Sequence, residues 1–299
     1  MTRSIPTLVL VTLLVFIPTT SNADWLPFSI EKGKIIIDVE ISGQPAKAML
    51  DSGAMGNLIS SHFVEEYGQD FHKSGRAKSI GVNATRTIQL YNNIPVSLYG
   101  THISLDKVAA APLSSVDLIL GINFFHVGIL QIDYPNSRFR FLDRKSVDLK
   151  KQSNVSMKKS SDSYLPAIEV VLGGETTWLQ FDTGNTGGLI LSRSLALDRG
   201  LVDESTYVKK IKVVGVNANA IYESYEIDSV GIGPYVLDDV KMAAPAEGQS
   251  ANLGRSGISA TGTRKKQGVR THGVVGYDVL KHFLVTVDCE KYQMHISAP

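Results

Sequence analysis

The chain repeats itself, and no other feature constrains its fold as much. "IIIDVEISGQPAKAMLDSGAMGNLIS" (35–60) lines up with "LPAIEVVLGGETTWLQFDTGNTGGLILS" (165–192). "GVNA" stands at 81–84 and again at 215–218, and "VAAAP" (108–112) answers "KMAAP" (241–245). "LILGINFFHVGILQIDYPNSRFRF" (118–141) answers "GVVGYDVLKHFLVTVDCEKYQMHI" (273–296), so that Gly121 matches Gly276 and Asp133 matches Asp288. Repetition on this scale predicts two lobes of one architecture, packed about a pseudo-two-fold axis.

The offset between copies shows where they differ. It is 131 at Asp51 and Asp182, 134 at the "GVNA" pair, 133 at the Pro pair and 155 at the Gly pair. The last step places an insertion of 22 residues between Pro245 and Gly276, near 246–267. The segment "AEGQSANLGRSGISATGTRKKQGVRTH" is rich in Gly, Ser and Thr and carries Arg255, Arg264, Lys265, Lys266 and Arg270. It reads as a long exposed loop. "DRKSVDLKKQSNVSMKKSSDS" (143–163), Lys/Ser-rich and almost without apolar periodicity, reads as the linker between an N-terminal lobe (24–142) and a C-terminal lobe (164–299).

Most segments alternate or run in β-branched residues and break at Gly, Pro or Asn, as in "KIIIDVEISG" and "YEIDSVGIGPYVLDDVKM". Helical spacing is brief: "HFVEEYGQDF", "SRSLALDRGL", "INFFHVG" and "YDVLKHF". The expected class is all-β, with one barrel or sandwich per copy and a few short helices.

Arg3, the apolar run "LVLVTLLVFI" (8–17) and the small-residue tail "TTSNA" describe a secretory signal cleaved after Ala23. The run is too short to span a membrane. In a bacterium the mature chain is then periplasmic or secreted. Removing 1–23 takes away Arg3 and no acid, leaving 29 basic against 29 acidic side chains. That balance argues against nucleic-acid or membrane-surface binding, both of which use an excess of Lys and Arg. One cysteine, Cys289, forms no intramolecular disulfide, and its alternating neighbourhood reads as strand.

Asp51 and Asp182 each end an apolar strand, in tight turns permitted by Gly53 and Gly184. Equivalent loops meet at a two-fold axis, which would bring the two carboxylates together. Such a pair shares one proton: one member acts as base on a water while the other, protonated, polarises a carbonyl.

"DSG" (51–53) and "DTG" (182–184), each between apolar strands, precede the apolar-apolar-Gly elements "LILG" (118–121) and "GVVG" (273–276). In these motifs the chain resembles the aspartic peptidases of the pepsin and retropepsin type, over nearly the whole mature length. The resemblance implies two retropepsin-like β-barrel lobes, a catalytic dyad of Asp51 and Asp182, and no cofactor or metal. It implies that Ser52 and Thr183 hydrogen-bond across the lobe interface, that Gly53 and Gly184 let backbone N–H groups reach the carboxylates, and that Gly121 and Gly276 pack behind them. Segments 79–92 and 213–226 correspond to flaps over a peptide, with Gly81, Val82, Asn83, Gly215, Val216 and Asn217 at their tips. The expected partner is a protein or peptide substrate, met by a monomer that is an internal pseudo-dimer.

The copies depart from the family pattern in places. Ala54 follows the first motif as expected, but Asn185 follows the second, where Ala, Ser or Thr is usual. The second loop is one residue longer, neither flap carries the pepsin flap tyrosine, and the dozen residues after Ala23 leave no room for a pepsin-like prosegment. A drifted second loop keeps a second reading open: a non-catalytic exported peptide-binding module on the same fold. Other chemistries find little support. The seven histidines show no metal-ligand spacing, "SMKK" (156–159) lies in the charged linker, and "VGIGPY" lacks the third glycine and helix of a phosphate loop. In the family that the chain resembles, the segment before the apolar-apolar-Gly strand lies near the substrate cleft, which implies that the basic insertion touches substrate or covers the cleft. Asp133 and Asp288 read as structural residues entering hairpins.

Overall fold

The computed structural model describes residues 24–80, 85–214, 219–249, 257–259 and 267–298. The expected signal segment 1–23, the six expected flap residues Gly81, Val82, Asn83, Gly215, Val216 and Asn217, and most of the 246–267 insertion lie outside them.

Each copy opens with a hairpin whose sequence alternates. In Lys34–Ile41 the last residues bury Val39 and Ile41 while Asp38 and Glu40 face water. The strand turns at Ser42 and Gly43, both with positive φ, and pairs with Gln44–Leu50. In the second copy Pro166–Leu172 turns at Gly173 and Gly174, again both positive, and pairs with Glu175–Phe181. Two consecutive left-handed residues are what a two-residue hairpin needs to follow the twist of its strands.

The C-terminal lobe closes into a six-stranded barrel. Its order is Pro166–Leu172, Glu175–Phe181, Gly273–Val275, Leu189–Leu191, Tyr235–Pro245 and Asn219–Ile232, and the last returns to the first through Val170 and Ile232. The N-terminal lobe repeats the order with Lys34–Ile41, Gln44–Leu50, Leu118–Leu120, Leu58–Ser60, Val108–Ala111 and Thr85–Asn92. Its closing strand, Ile94–Leu98, returns to Lys34–Ile41. In both lobes the apolar-apolar-Gly strand lies parallel to the strand that ends at the motif aspartate. Short helices fall where the spacing predicts them, at Ser61–Tyr67, Ile122–Phe125, Arg193–Asp198 and Tyr277–Leu280. Ser60 and Ser192 cap the first and third of these, accepting from Phe63 and Leu195 N–H.

A third sheet joins the lobes. Ile129–Asp133 pairs antiparallel with Leu284–Asp288, flanked by Arg138–Leu142 on one side and Gln293–Ser297 on the other. These are the twin C-terminal hairpins of the two copies, so the pseudo-two-fold axis passes between Ile129–Asp133 and Leu284–Asp288. One buried apolar cluster runs through both lobes, from Phe28 and Ile35 to Met294 and Ile296.

The segment expected as a linker is not a tether. Leu149–Gln152 is helical, Met157–Lys159 adds a strand to the second lobe, and Leu149, Val155 and Met157 are buried. Its Lys/Ser composition concealed three apolar anchors spaced too irregularly to show a period. Cys289 stands in the turn after Leu284–Asp288 rather than in the strand, and is fully buried. Burial pushes its thiol pKa well up. Asp133 holds its hairpin turn by accepting from Asn136 N–H and Arg138 Nε, and Asp288 accepts two bonds from Arg144.

Within the insertion, Gly257–Ser259 pairs antiparallel with Lys78–Ile80 of the other lobe. Both "GVNA" segments bridge antiparallel arms, paired up to Ile80 and Thr85 in one lobe and up to Val214 and Asn219 in the other.

Candidate active site

The strands Gln44–Leu50 and Glu175–Phe181 each deliver an aspartate to the lobe interface, where the chain turns. Asp51 N–H donates to Leu120 O, and Asp182 N–H to Val275 O, so each loop is pinned to the apolar-apolar-Gly strand of its own lobe.

The next residues lock the loops to each other. Ser52 N–H donates to Thr183 Oγ1 (3.0 Å) and Thr183 N–H to Ser52 Oγ (3.0 Å). Each hydroxyl then donates onward across the interface, Ser52 Oγ to Phe181 O and Thr183 Oγ1 to Leu50 O, both at 2.9 Å. All four bonds are buried, so both hydroxyls use donor and acceptor capacity without water.

This lattice brings the two half-buried carboxylates close together across the interface. Gly53 N–H donates to Asp51 Oδ1 and Gly184 N–H to Asp182 Oδ1, each at 2.9 Å, and Asn185 N–H adds a bond of 3.2 Å to Asp182. Each glycine also lies against the aspartate of the opposite lobe. A Cβ on Gly184 would stand 2.6 Å from Asp51 Oδ2, inside van der Waals contact. Burial raises the pKa of Asp51 above the usual aspartate value, against the pull of Gly53 N–H. It raises Asp182 further, with the charge of Asp51 as the second cause. The two carboxyls titrate as a pair, and burial together with their mutual charge favours one proton held between them over two ionised carboxylates.

Gly121 and Gly276 pack as expected. A Cβ on Gly121 would stand 2.7 Å from Ala54 O, and one on Gly276 2.6 Å from Asn185 Cγ. Asn185 does not distort its loop. Its amide donates to Gly188 O (3.1 Å) and its carbonyl accepts from Gly187 N–H (3.2 Å), organising the extra residue. In the first lobe Asn57 Oδ1 accepts from Gly121 N–H; in the second Gly188 O does the same for Gly276. The longer loop replaces a side-chain acceptor by a backbone one.

A family model described as aspartyl protease matches residues 37–124 and 168–279, well over half of the chain and one stretch in each lobe. The chain belongs to the aspartyl protease family. It is a two-lobed member with retropepsin-like lobes, joined in one polypeptide. None of the curated proteins compared with it matches.

This aspartyl protease is asymmetric in ways that the paired motifs do not reveal. Lys34 opens the first barrel strand of the N-terminal lobe; its Nζ donates to Ser115 Oγ (2.6 Å), and its charge opposes, in small part, the rise that burial imposes on the pKa of Asp51. The twin position in the second copy is Leu165, 1 % exposed, so this position offers Asp182 no matching cation. Beside Lys34, Gly33 with φ of +80° presses on Thr186 of the longer loop. The signal for Lys34 was present in the alignment of copies, as a charged residue opposite an apolar one.

Among the described residues no group of three or more His, Cys, Asp and Glu could hold a metal ion, and no helix is long and apolar enough to cross a membrane. Two surface hollows lie along the connecting segment, near Asn154 and Leu149, and neither is lined by a residue of the aspartate loops.

Proposed function

We propose that the protein is an exported aspartic endopeptidase that cleaves extended peptides with a water activated between Asp51 and Asp182. One observation carries this reading: two half-buried carboxylates, one from each lobe, are held close together by the Ser52–Thr183 lattice that ties their loops. Ionised Asp51 takes a proton from the water as its oxygen attacks the carbonyl carbon. Protonated Asp182 gives its proton to the carbonyl oxygen, so no free oxyanion forms. The tetrahedral gem-diol collapses as the amide nitrogen takes the proton from Asp51 and leaves as an amine, while a hydroxyl of the gem-diol returns its proton to Asp182. Water has then been added across the bond and the pair again holds one proton.

The two hairpins ending at 81–84 and 215–218 are the arms between which the peptide is held. The pairing of Gly257–Ser259 with Lys78–Ile80 supports an insertion that borders this cleft. The sequence of 1–23 supports export and a mature chain beginning at Asp24. The competing reading, a peptide-binding module without catalysis, drew its support from Asn185, which here completes its loop and holds Asp182.

Asp51→Asn separates the two. A peptidase loses turnover while still binding peptide. Peptide binding by the wild-type protein, with no cleavage of any member of a broad library between pH 3 and 8, would favour the module.

A further inference from the structure

The residues two places before the aspartates share their face of the sheet, because side chains alternate along a strand. Before Asp51 this is Met49, which lies between Ile36 on one neighbouring strand and Ile119 on the other, with Leu58 beyond. These four belong to a small apolar cluster with Ile88, Ala109, Ala111 and Val116, separate from the main core and rimmed by the partly exposed Ala54, Leu90 and Leu113.

The same row beside Asp182 is built differently. Gln180 replaces Met49, between Ala167 and Val274, with Ile190 beyond. Thr271 replaces Val116. Gln180 is 0 % exposed with neither Oε1 nor Nε2 partnered, and Thr271 is 4 % exposed with its hydroxyl unpartnered. A buried amide or hydroxyl without a partner is costly, and two of them at twin positions of one apolar cluster mark a site that expects polar atoms from elsewhere.

We infer that the cleft has unlike halves: an apolar subsite beside Asp51 built on Met49 and Ile119, and a polar subsite beside Asp182 in which Gln180 and Thr271 bind an uncharged amide or hydroxyl side chain of the substrate. The inference rests on the peptidase reading for its substrate class. An extended peptide crossing the pseudo-two-fold axis lays side chains on opposite sides of the scissile bond into the two subsites. The preferred substrate therefore carries Asn, Gln, Ser or Thr on one side and an aliphatic or aromatic residue on the other. A Gln amide offers both donor and acceptor, so it discriminates against apolar side chains more strongly than an apolar pocket discriminates among them.

The test profiles cleavage of a peptide library by the wild-type protein, Gln180→Met, Thr271→Val and the double variant. The changes install the residues that the N-terminal lobe already packs at these positions. The wild type should favour polar over apolar residues at one position by about tenfold or more. The variants should abolish or reverse that preference while leaving the opposite, apolar position unchanged. Gln180→Glu, which keeps the shape but removes the donor, should shift the preference toward side chains that donate. An unaltered profile in all four variants, with thermal unfolding unchanged, would mean that Gln180 holds only a buried water, and overturns the inference while leaving the peptidase intact. Binding of the same peptides to Asp51→Asn, with and without Gln180→Met, separates the two claims. Selective binding lost with Gln180→Met upholds the subsite even if the wild type cleaves nothing. Binding and cleavage that are indifferent to Gln180 reject it.

Discussion

Gly53 lies against the carboxylate of Asp182 in the opposite lobe, so closely that a Cβ there would stand 2.5 Å from Oδ2 and nearer still to Oδ1. The glycine of each motif is thus a wall of the other lobe's carboxylate. Gly53→Ala must push Asp182 away from Asp51. Turnover is expected to fall by at least about a hundredfold, as small displacements at a reacting centre do. Circular dichroism should stay unchanged, because the methyl group meets a side chain rather than the barrel core. Wild-type turnover in the Ala variant would contradict this contact.

The Ser52–Thr183 lattice makes both residues more structural than their small size suggests. Thr183→Val removes one acceptor and one donor and leaves Ser52 N–H and Leu50 O buried without partners. A loss of roughly 2–4 kcal/mol is expected for the two groups together. Ser52→Ala should cost about the same, and the double variant less than the sum, since each hydroxyl serves the other's loop. Urea denaturation of the three variants checks the coupling; strictly additive losses would deny it.

Lys34 lowers the pKa of Asp51. Activity should require one proton on the pair, giving a bell-shaped profile of kcat/KM against pH. The acid limb marks uptake of a second proton by Asp51. Lys34→Met removes the charge that favours ionised Asp51, so this limb should move to higher pH while the alkaline limb, set by the shared proton, stays in place. A profile that does not move, or that moves to lower pH, would exclude Lys34 from the electrostatics of the site.

Asp182, raised well above the ordinary aspartate value by burial and then by Asp51, also makes folding depend on pH. The folded chain binds this proton more tightly than the unfolded chain. Stability is therefore highest below the unfolded value of about 4 and falls as pH rises toward the folded value. Asp182→Asn cannot ionise. It should match the wild type near pH 4 and unfold about 3 °C or more above it at pH 7, while being inactive. Calorimetry at the two pH values tests the sign.

Arg144 leaves the connecting segment to clamp Asp288 in the interlobe sheet, with Nε–Oδ2 at 2.7 Å and Nη2–Oδ1 at 3.2 Å, and to donate to His126 O of the other lobe (3.0 Å). The Asp288 side chain is 3 % exposed. Arg144→Ala should cost about 2–4 kcal/mol, because a buried carboxylate loses its paired cation while keeping its bonds from Glu290 and Lys291 N–H. Arg144→Lys should recover only part, since an ammonium cannot repeat the two-pronged contact. Denaturation midpoints of the two variants decide it.

Much of this was legible in the chain as written. Duplicated segments and alternating burial predicted two β lobes, and four helical stretches fell close to their places, because strand and helix periods are local properties. The connecting segment was not legible. Leu149, Val155 and Met157 are scattered among lysines and serines, and only the surface they dock against makes them core. Lys34 and Gln180 were not legible for a related reason: each matters through its contrast with its twin, Leu165 and Met49, and through neighbours far away in the chain.

The sequence alone determined the number of lobes, their kinship, the family and the two aspartates, since repetition and motif spacing survive without coordinates. Only the tertiary structure decided that those aspartates face each other and that Ser52 and Thr183 tie their loops together. It alone showed that Asn185 serves its loop and that a strand of the C-terminal insertion joins the N-terminal hairpin. Each of these relationships joins residues far apart along the chain. Direction, distance and burial between such residues come from packing, which no local pattern encodes.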